Sequence, residues 1–534
     1  MTQIPDPIKA GLASGWKVLG GGHGPLPNSL DCDVAIVGSG AGAGVSAELL
    51  AQAGFKVVMV EAGPLRSSSD FRQRESDAYP ALYQEGAARK TADKAINIMQ
   101  GRCVGGSTTV NWTSSFRTPP GTLDFWRERY GLEDATEAAM APWFEQIEQR
   151  LNMHEWETSP NANNEVLRRG AAKLGIEAPV IHRNVKGCWN LGSCGMGCPT
   201  NAKQSMLLTT IPAALDLGAT LLVQTRAERL ELSGTDDQTQ VQALICRPVN
   251  LDDSPAGPEL RITARHYIVA GGAINSPALL LRSKAPDPHG LLGKRTFLHP
   301  VVISSAQFEE RIEGWSGAPQ SIYSDHFMHI GSIDGPLGFK LEVPPLHPSL
   351  MSATMTGLGP TSIAELGRFP HAQAMLALLR DGFHPQSEGG SVALKDDGSP
   401  VLDYPLTEVV MEGARRALLT MAQIQFAAGA LSVTPMHEAA PAYTSWEQAQ
   451  AGIQALALKP HVTRVVCAHV MGGCAMAADA QRGVVRPDGQ HWQIGKLSIH
   501  DGSVFPTSIG ANPQLSVYGQ AARMTAGLVK RLKG

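Results

Sequence analysis

One histidine and one asparagine near the C-terminus carry the chemistry this sequence could do. His469 stands in Cys467-Ala-His-Val-Met-Gly-Gly-Cys474 and Asn512 in Gly510-Ala-Asn-Pro-Gln-Leu-Ser516. Each sits on a glycine-bracketed turn behind an apolar run. A neutral imidazole is a natural proton acceptor near pH 7. An amide N–H can hold an oxygen on which negative charge develops. The pair suits loss of a hydroxyl proton while a hydride leaves the same carbon, and such a step needs a cofactor to take the hydride.

The N-terminal part supplies the pattern of a cofactor site. Asp33-Val-Ala-Ile-Val37 reads as a short buried strand running into Gly38-Ser-Gly-Ala-Gly-Ala-Gly44. A helix is expected over Val45–Ala53, and a second strand over Lys56–Val60 that ends at Glu61. Strand, glycine turn, helix and acid together make the context of a dinucleotide fingerprint. The glycines let backbone approach a pyrophosphate at the positive end of the helix. Glu61 is placed to accept from a ribose 2′-hydroxyl, and Ala43 fills the third fingerprint position. The alternative is a glycine turn that binds nothing. Further on, Gly105-Gly106-Ser107 could let backbone lie against a flat ring or a phosphate, with Asn111 and Thr113 just beyond.

The remaining elements must hold these turns together. Helical periodicity is expected over Thr122–Arg129, Met140–Met153, Glu165–Leu174 and Lys203–Leu217. Strands are expected at Ala219–Val223, Arg226–Leu232, Val241–Arg247 and Arg265–Ala270. The last of these runs through Gly271-Gly272 into a helix from Asn275, with Ser276 or Asn275 as cap and Pro277 in its first turn. A second domain is expected after Pro300, with strands Val301–Phe308 and Gly338–Val343, a hairpin joining Ser391–Leu394 to Val401–Tyr404, and a long amphipathic helix Glu408–Ala428. From Val465 the chain should return to the first domain, with a strand Lys496–His500 and a final helix Gln514–Lys533. The fold class expected is α/β with an α+β second domain: a Rossmann-like nucleotide domain (28–118, 210–305 and 463–534) and a substrate domain on an antiparallel sheet (119–209 and 306–462).

Composition sets bounds on partners. The chain has 534 residues, 43% hydrophobic and 18% charged, with a net charge of -4. That is ordinary for a globular protein and gives no footprint for nucleic acid. Met1–Gly22 shows no secretory pattern, and no window approaches the roughly 18 apolar residues of a membrane span. The expected location is the cytoplasm or the periphery of a membrane.

Five motifs in this order resemble the glucose–methanol–choline (GMC) family of FAD-dependent oxidoreductases, nearest to its long-chain alcohol oxidases and dehydrogenases. They are Gly38-Ser-Gly-Ala-Gly42 with Glu61, Gly105-Gly-Ser-Thr-Thr-Val-Asn111, Gly271-Gly-Ala-Ile-Asn-Ser-Pro277, Cys467–Gly473, and Ala511-Asn-Pro-Gln514. The resemblance implies non-covalent FAD, because Val110 occupies the place where some members carry a flavin-linked histidine. It implies hydride transfer to flavin N5, with His469 as base and Asn512 donating to the developing alkoxide. The implied cofactor contacts are Gly38, Ser39, Gly40, Ala41, Gly42, Ala43, Glu61, Ala62, Arg102, Gly105, Gly106, Ser107, Thr108, Asn111, Trp112, Thr113, Ala227, Gly271, Asp501, Gly502, Asn512, Pro513 and Gln514. His299, just before Pro300, is read as structural or pocket-lining. The expected substrate is an apolar or aromatic primary alcohol, a reading that leans on Pro344–Met351 and Met355. A sugar or polyol, or a flavin lyase without net redox chemistry, is the alternative. Oxygen, a quinone or a cytochrome could take the electrons.

Cys188, Cys194 and Cys198 have the spacing C-x5-C-x3-C-P. Three thiolates among glycines suit a 3Fe-4S cluster that would relay electrons to a cytochrome or quinone. The other reading is a set of buried thiols packing a glycine-rich loop, and both stay open on sequence.

Overall fold

The computed structural model describes residues 4–234, 238–355 and 359–534. Two β-sheets organise the chain. The first has eight strands, in the order Lys17–Leu19, Thr220–Leu222, Val57–Val60, Ser29–Val37, Leu260–Val269, Gln240–Pro248 and Thr225–Ser233, with Leu497–Ile499 also paired to Leu260–Val269. Its centre is parallel: Val34 to Val37 face Val57 to Val60 on one side and His266 to Val269 on the other. Val57–Val60 is buried along its whole length. Parallel strands covered on both faces read as unbroken apolar runs.

The helix Ala41–Gln52 leaves the first strand through the glycine turn and packs against the final helix, Gln514–Lys533. The two approach closely enough that the chain's ends share one core. The helix expected from Lys203 forms only over Thr210–Asp216. Lys203 itself is pulled into the interior, where Nζ donates to the carbonyls of Thr109 (2.9 Å), Asn111 (2.6 Å) and Cys194 (2.7 Å). The helix at Asn275–Arg282 has Ile274 as its N-cap and no side-chain cap. Ser276 does other work: Oγ accepts from Gly271 N–H at 2.9 Å and donates to Asp501 at 2.5 Å.

The second sheet has seven strands and is mostly antiparallel. Its path is Tyr323–Ser324, Phe339–Glu342, Ala372–Leu379, Val301–Gln307, Val465–Cys467 and Ile96–Ile98, with Ser432–Pro435 also paired to Val301–Gln307. Ala372–Leu379 is its fully buried middle strand, a position the sequence did not mark. An apolar run with no alternation does not declare its period. The helix Glu408–Ala427 covers this sheet, opened by Thr407, whose side chain accepts from Val410 N–H.

Val465–Cys467 lies in this second sheet, parallel to Ile96–Ile98. The chain rejoins the first sheet only at Leu497–Ile499. Between these points Val470–Gly472 pairs antiparallel with Thr296–Leu298, a two-stranded ribbon that brings His469 beside His299. Among the described residues no helix is long and apolar enough to cross a membrane.

Candidate active site

The glycine turn is tight on every side. Gly38 has φ 98° and donates its N–H to Val60 O at 2.8 Å. A Cβ on Gly42 would lie 1.5 Å from His500 O, and one on Gly106 would lie 2.8 Å from Gly40 Cα. No side chain caps Ala41–Gln52, so its first N–H groups remain available to an anionic group. Glu61 is buried beside them. Its Oε2 accepts from Ser39 Oγ (2.5 Å) and its Oε1 from Gly63 N–H (2.7 Å), while Ser39 Oγ accepts from Gly105 N–H (3.0 Å). Burial raises the Glu61 carboxyl above its ordinary value, against the hydrogen bonds from Ser39 and Gly63. Two glycine segments, far apart in sequence, thus form one cradle around an acid.

Asn111 extends this cradle to the C-terminal turn. Its amide donates to Gln514 Oε1 (2.8 Å), and Gln514 Nε2 donates to Ser114 O (2.7 Å). Thr108 Oγ1 donates to Gly105 O (2.6 Å) and closes the same loop from within. Thr113 stands at φ 66°, and Arg183, fully buried, donates to its Oγ1 (2.7 Å) and to Trp112 O (2.9 Å). Pro513 is the N-cap of the last helix, so Asn512 is held just outside it.

The two histidines meet at 3.0 Å, Nδ1 to Nδ1, with their rings edge to face. Gly510 N–H donates to Nε2 of His299 at 3.1 Å. Burial lowers His299 well below its ordinary value, helped by the charges of His469 and Lys340. Burial also lowers His469 to about 4. Part of the His469 ring stays accessible, and among the described residues its Nε2 has no hydrogen-bond partner. Asn512 is buried; its Nδ2 donates to Glu342 Oε2 at 3.2 Å, while its Oδ1 has no partner. Gln320 Nε2 also donates to Glu342 Oε2, at 2.6 Å, and Oε1 of the same carboxylate is unpartnered.

Two sequence models of the GMC oxidoreductase family match, over residues 79–301 and 385–521. The chain belongs to the GMC oxidoreductase family. A long-chain-alcohol oxidase of Arabidopsis thaliana, FAO1, is 27% identical over 528 residues, 94% of this chain and 68% of the relative. A pyridoxine 4-oxidase structure from Mesorbium loti aligns with a TM-score of 0.67 at 18% identity, covering 93% of this chain and 99% of its own. A formate oxidase structure from Aspergillus oryzae aligns at 0.70 and 15%, covering 95% and 100%. At these identities the structural likeness is one of fold.

As a GMC oxidoreductase the chain works with FAD, and its residues fit that group. The uncapped helix start, the glycines that leave no room for a Cβ, the Glu61 carboxylate and the unpartnered indole N–H of Trp112 are what a dinucleotide with a flat ring would need. When bound, FAD supplies the hydride acceptor.

Other expected contacts are engaged by the protein itself. Arg102 donates to Leu251 O (3.0 Å), Asn250 O (3.4 Å) and Asp253 Oδ1 (2.6 Å), which fixes the turn at 250–253. Asp501 Oδ2 accepts from Gly272 N–H (2.8 Å) and Ser276, and Oδ1 accepts from Ser503 N–H (2.8 Å). Asp501 thereby joins the second glycine junction to Gly502. Ala227 O accepts from Arg282.

The iron–sulfur expectation at Cys188, Cys194 and Cys198 is not supported. Among the described residues no group of three or more His, Cys, Asp or Glu side chains is placed to hold a metal ion. Each thiol has its own partner: Cys188 Sγ accepts from Asn190 N–H, Cys194 Sγ from Arg183, and Cys198 pairs with Thr200 Oγ1. The loop packs against Tyr83, whose hydroxyl donates to Gly195 O at 2.6 Å.

Glu342, Gln320 and Arg183 escaped the sequence reading. Phe339-Lys-Leu-Glu342 alternates, and alternation signals one solvated face. Here both faces are buried.

Proposed function

We propose that this GMC oxidoreductase oxidises an apolar primary alcohol to its aldehyde, passing the hydride to bound FAD and the electrons onward to oxygen. In this reading His469 takes the hydroxyl proton as base and Asn512 donates to the oxygen on which charge develops. The observation that carries it is the buried joining of the two turns to the cofactor cradle: His469 against His299, and Asn512 next to Gln514, whose amide pairs with Asn111. The likeness to a long-chain-alcohol oxidase supports the substrate class and the oxygen acceptor. The Leu346 and Met351 side chains, buried with Val301, Ile303 and Leu376 in a satellite apolar cluster, are consistent with an apolar substrate end.

The division of labour belongs to the same proposal. Residues 28–118, 210–305 and 463–534 bind FAD, and 119–209 with 306–462 shape the substrate side. So does the location, in the cytoplasm or at a membrane's periphery.

The test is an absorbance spectrum of the purified protein before and after anaerobic addition of a panel of alcohols and sugars, followed by oxygen. Flavin bands that bleach with a long-chain or aryl alcohol and recover with oxygen support the proposal. Bleaching by sugars alone, or no recovery with oxygen, would replace the substrate or the acceptor.

A further inference from the structure

We infer that Arg183 and Lys203 set the charge balance of the bound flavin: they are two buried cations with no carboxylate partner, and the negative charge that FAD gains on reduction is their counter-charge. The inference rests on FAD in the cradle and is independent of the substrate proposed above.

Both side chains are closed off from water, Arg183 at 0% exposure and Lys203 at 3%. Both hold the same loop. Lys203 Nζ donates to the carbonyls of Thr109 (2.9 Å) and Asn111 (2.6 Å), and Arg183 donates to Trp112 O (2.9 Å) and Thr113 Oγ1 (2.7 Å). Their other partners are Cys194 O for Lys203, and Pro319 O and Cys194 Sγ for Arg183. The chain beyond Lys203 follows the loop, with Met206 N–H donating to Thr108 Oγ1 at 3.1 Å. The loop carries the crowded Gly105-Gly106 pair of the cradle and the unpartnered indole N–H of Trp112.

Lys340 gives the contrast. It is as deeply buried, and Asp325 Oδ1 lies 2.7 Å from its ammonium. Among the described residues Arg183 and Lys203 have no such ion pair. A buried ion is kept by an opposite charge or gives up its charge. A guanidinium does not give up its proton. Burial and the Arg183 charge lower Lys203 only to about 8, against the nearby thiols of Cys194, Cys198 and Cys103. Two positive charges therefore stand behind one loop at neutral pH. Carbonyl dipoles solvate them without balancing them.

Tying down a loop needs donors, and a neutral amide would serve. A charge is needed where the ligand's own charge changes. FAD that accepts a hydride becomes an anion, and a fixed cation in a dry interior favours that state by Coulomb attraction. The pair thus raises the reduction potential of bound FAD and tightens any anionic adduct of its ring.

Sulfite tests this with no alcohol present. It adds to oxidised flavin and leaves a negative charge on the ring, so its Kd reads the field there. Lys203→Gln keeps a donor for the carbonyls and removes the charge. At pH 7 it is expected to raise the sulfite Kd about tenfold or more and to lower the flavin midpoint potential. Arg183→Lys keeps the charge with fewer hydrogen bonds, and its sulfite Kd is expected to stay within about twofold of wild type. Wild-type values of both quantities in Lys203→Gln overturn the inference and leave Lys203 a staple. The same values, with a thiolate absorbance in wild type that Cys194→Ser or Cys198→Ser removes, overturn it in favour of a thiolate as counter-charge. Should Lys203→Gln not hold FAD, the wild-type protein decides: its midpoint potential is expected above that of free FAD at pH 7, and one at or below it overturns the inference.

Discussion

Lys340 and Glu342 stand two residues apart on one strand of the second sheet, both fully buried and facing the same way. The Lys340 ammonium lies 3.6 Å from the Phe116 ring centre and 3.8 Å from that of Tyr323, and 2.7 Å from Asp325 Oδ1. Burial pushes the Glu342 carboxyl up to about 7, and the Lys340 charge opposes that rise without cancelling it.

This gives a pH signature. The folded Glu342 holds its proton more tightly than the ordinary value of 4.5. Its stabilising contribution is full below that value and is lost as pH rises through about 7. Glu342→Gln removes this loss. The variant's Tm should gain on wild type between pH 5 and pH 8, while the histidine contributions, common to both chains, cancel. Parallel Tm curves would show that Glu342 does not titrate in this window.

Gly42→Ala should abolish FAD retention. Its Cβ would lie 1.5 Å from His500 O, a backbone atom that cannot swing aside. The helix Ala41–Gln52 must then move off the sheet end that orients its N-terminus. Overpacking of this sort costs roughly 1–3 kcal/mol or more. The flavin-to-protein absorbance ratio of the purified variant is the readout, and a wild-type ratio would contradict the cradle.

Arg183→Met should destabilise the fold more than it alters local packing. The guanidinium donates to Thr113 Oγ1, Trp112 O and Pro319 O and lies 4.8 Å from the Trp156 ring centre. Methionine fills much of the volume but leaves buried carbonyls without donors, a loss on the order of 3 kcal/mol. Urea unfolding measures it; a change under about 0.5 kcal/mol would mean water replaces the side chain.

His469→Ala should keep FAD and lose about 10²–10³ in kcat, the range for removing one preorganised polar group at a reacting oxygen. The ring contacts His299 and reaches no part of the Gly38–Glu61 cradle through any hydrogen bond among the described residues. Flavin content and stopped-flow reduction separate the two effects. Loss of FAD would make His469 a cofactor residue.

Local pattern was enough to mark the nucleotide unit. Asp33–Val37, the glycine turn, Lys56–Val60 and Glu61 lie within thirty residues, and each step depends on neighbours in the chain. The last helix was likewise readable, because its period and its basic end are local properties. Ala372–Leu379 was not, since burial on both faces erases the alternation by which a strand is recognised.

His469 and Asn512 could be named from sequence because their turns are short motifs. What tertiary structure alone decided is the company they keep. His299 reaches His469 only because Thr296–Leu298 pairs with Val470–Gly472, and Glu342 reaches Asn512 from a sheet 170 residues away in the chain. Residue type states which atoms could donate or accept. Which of them do so is fixed by partners that the fold brings from elsewhere, because a buried polar atom takes its role from the neighbour it faces.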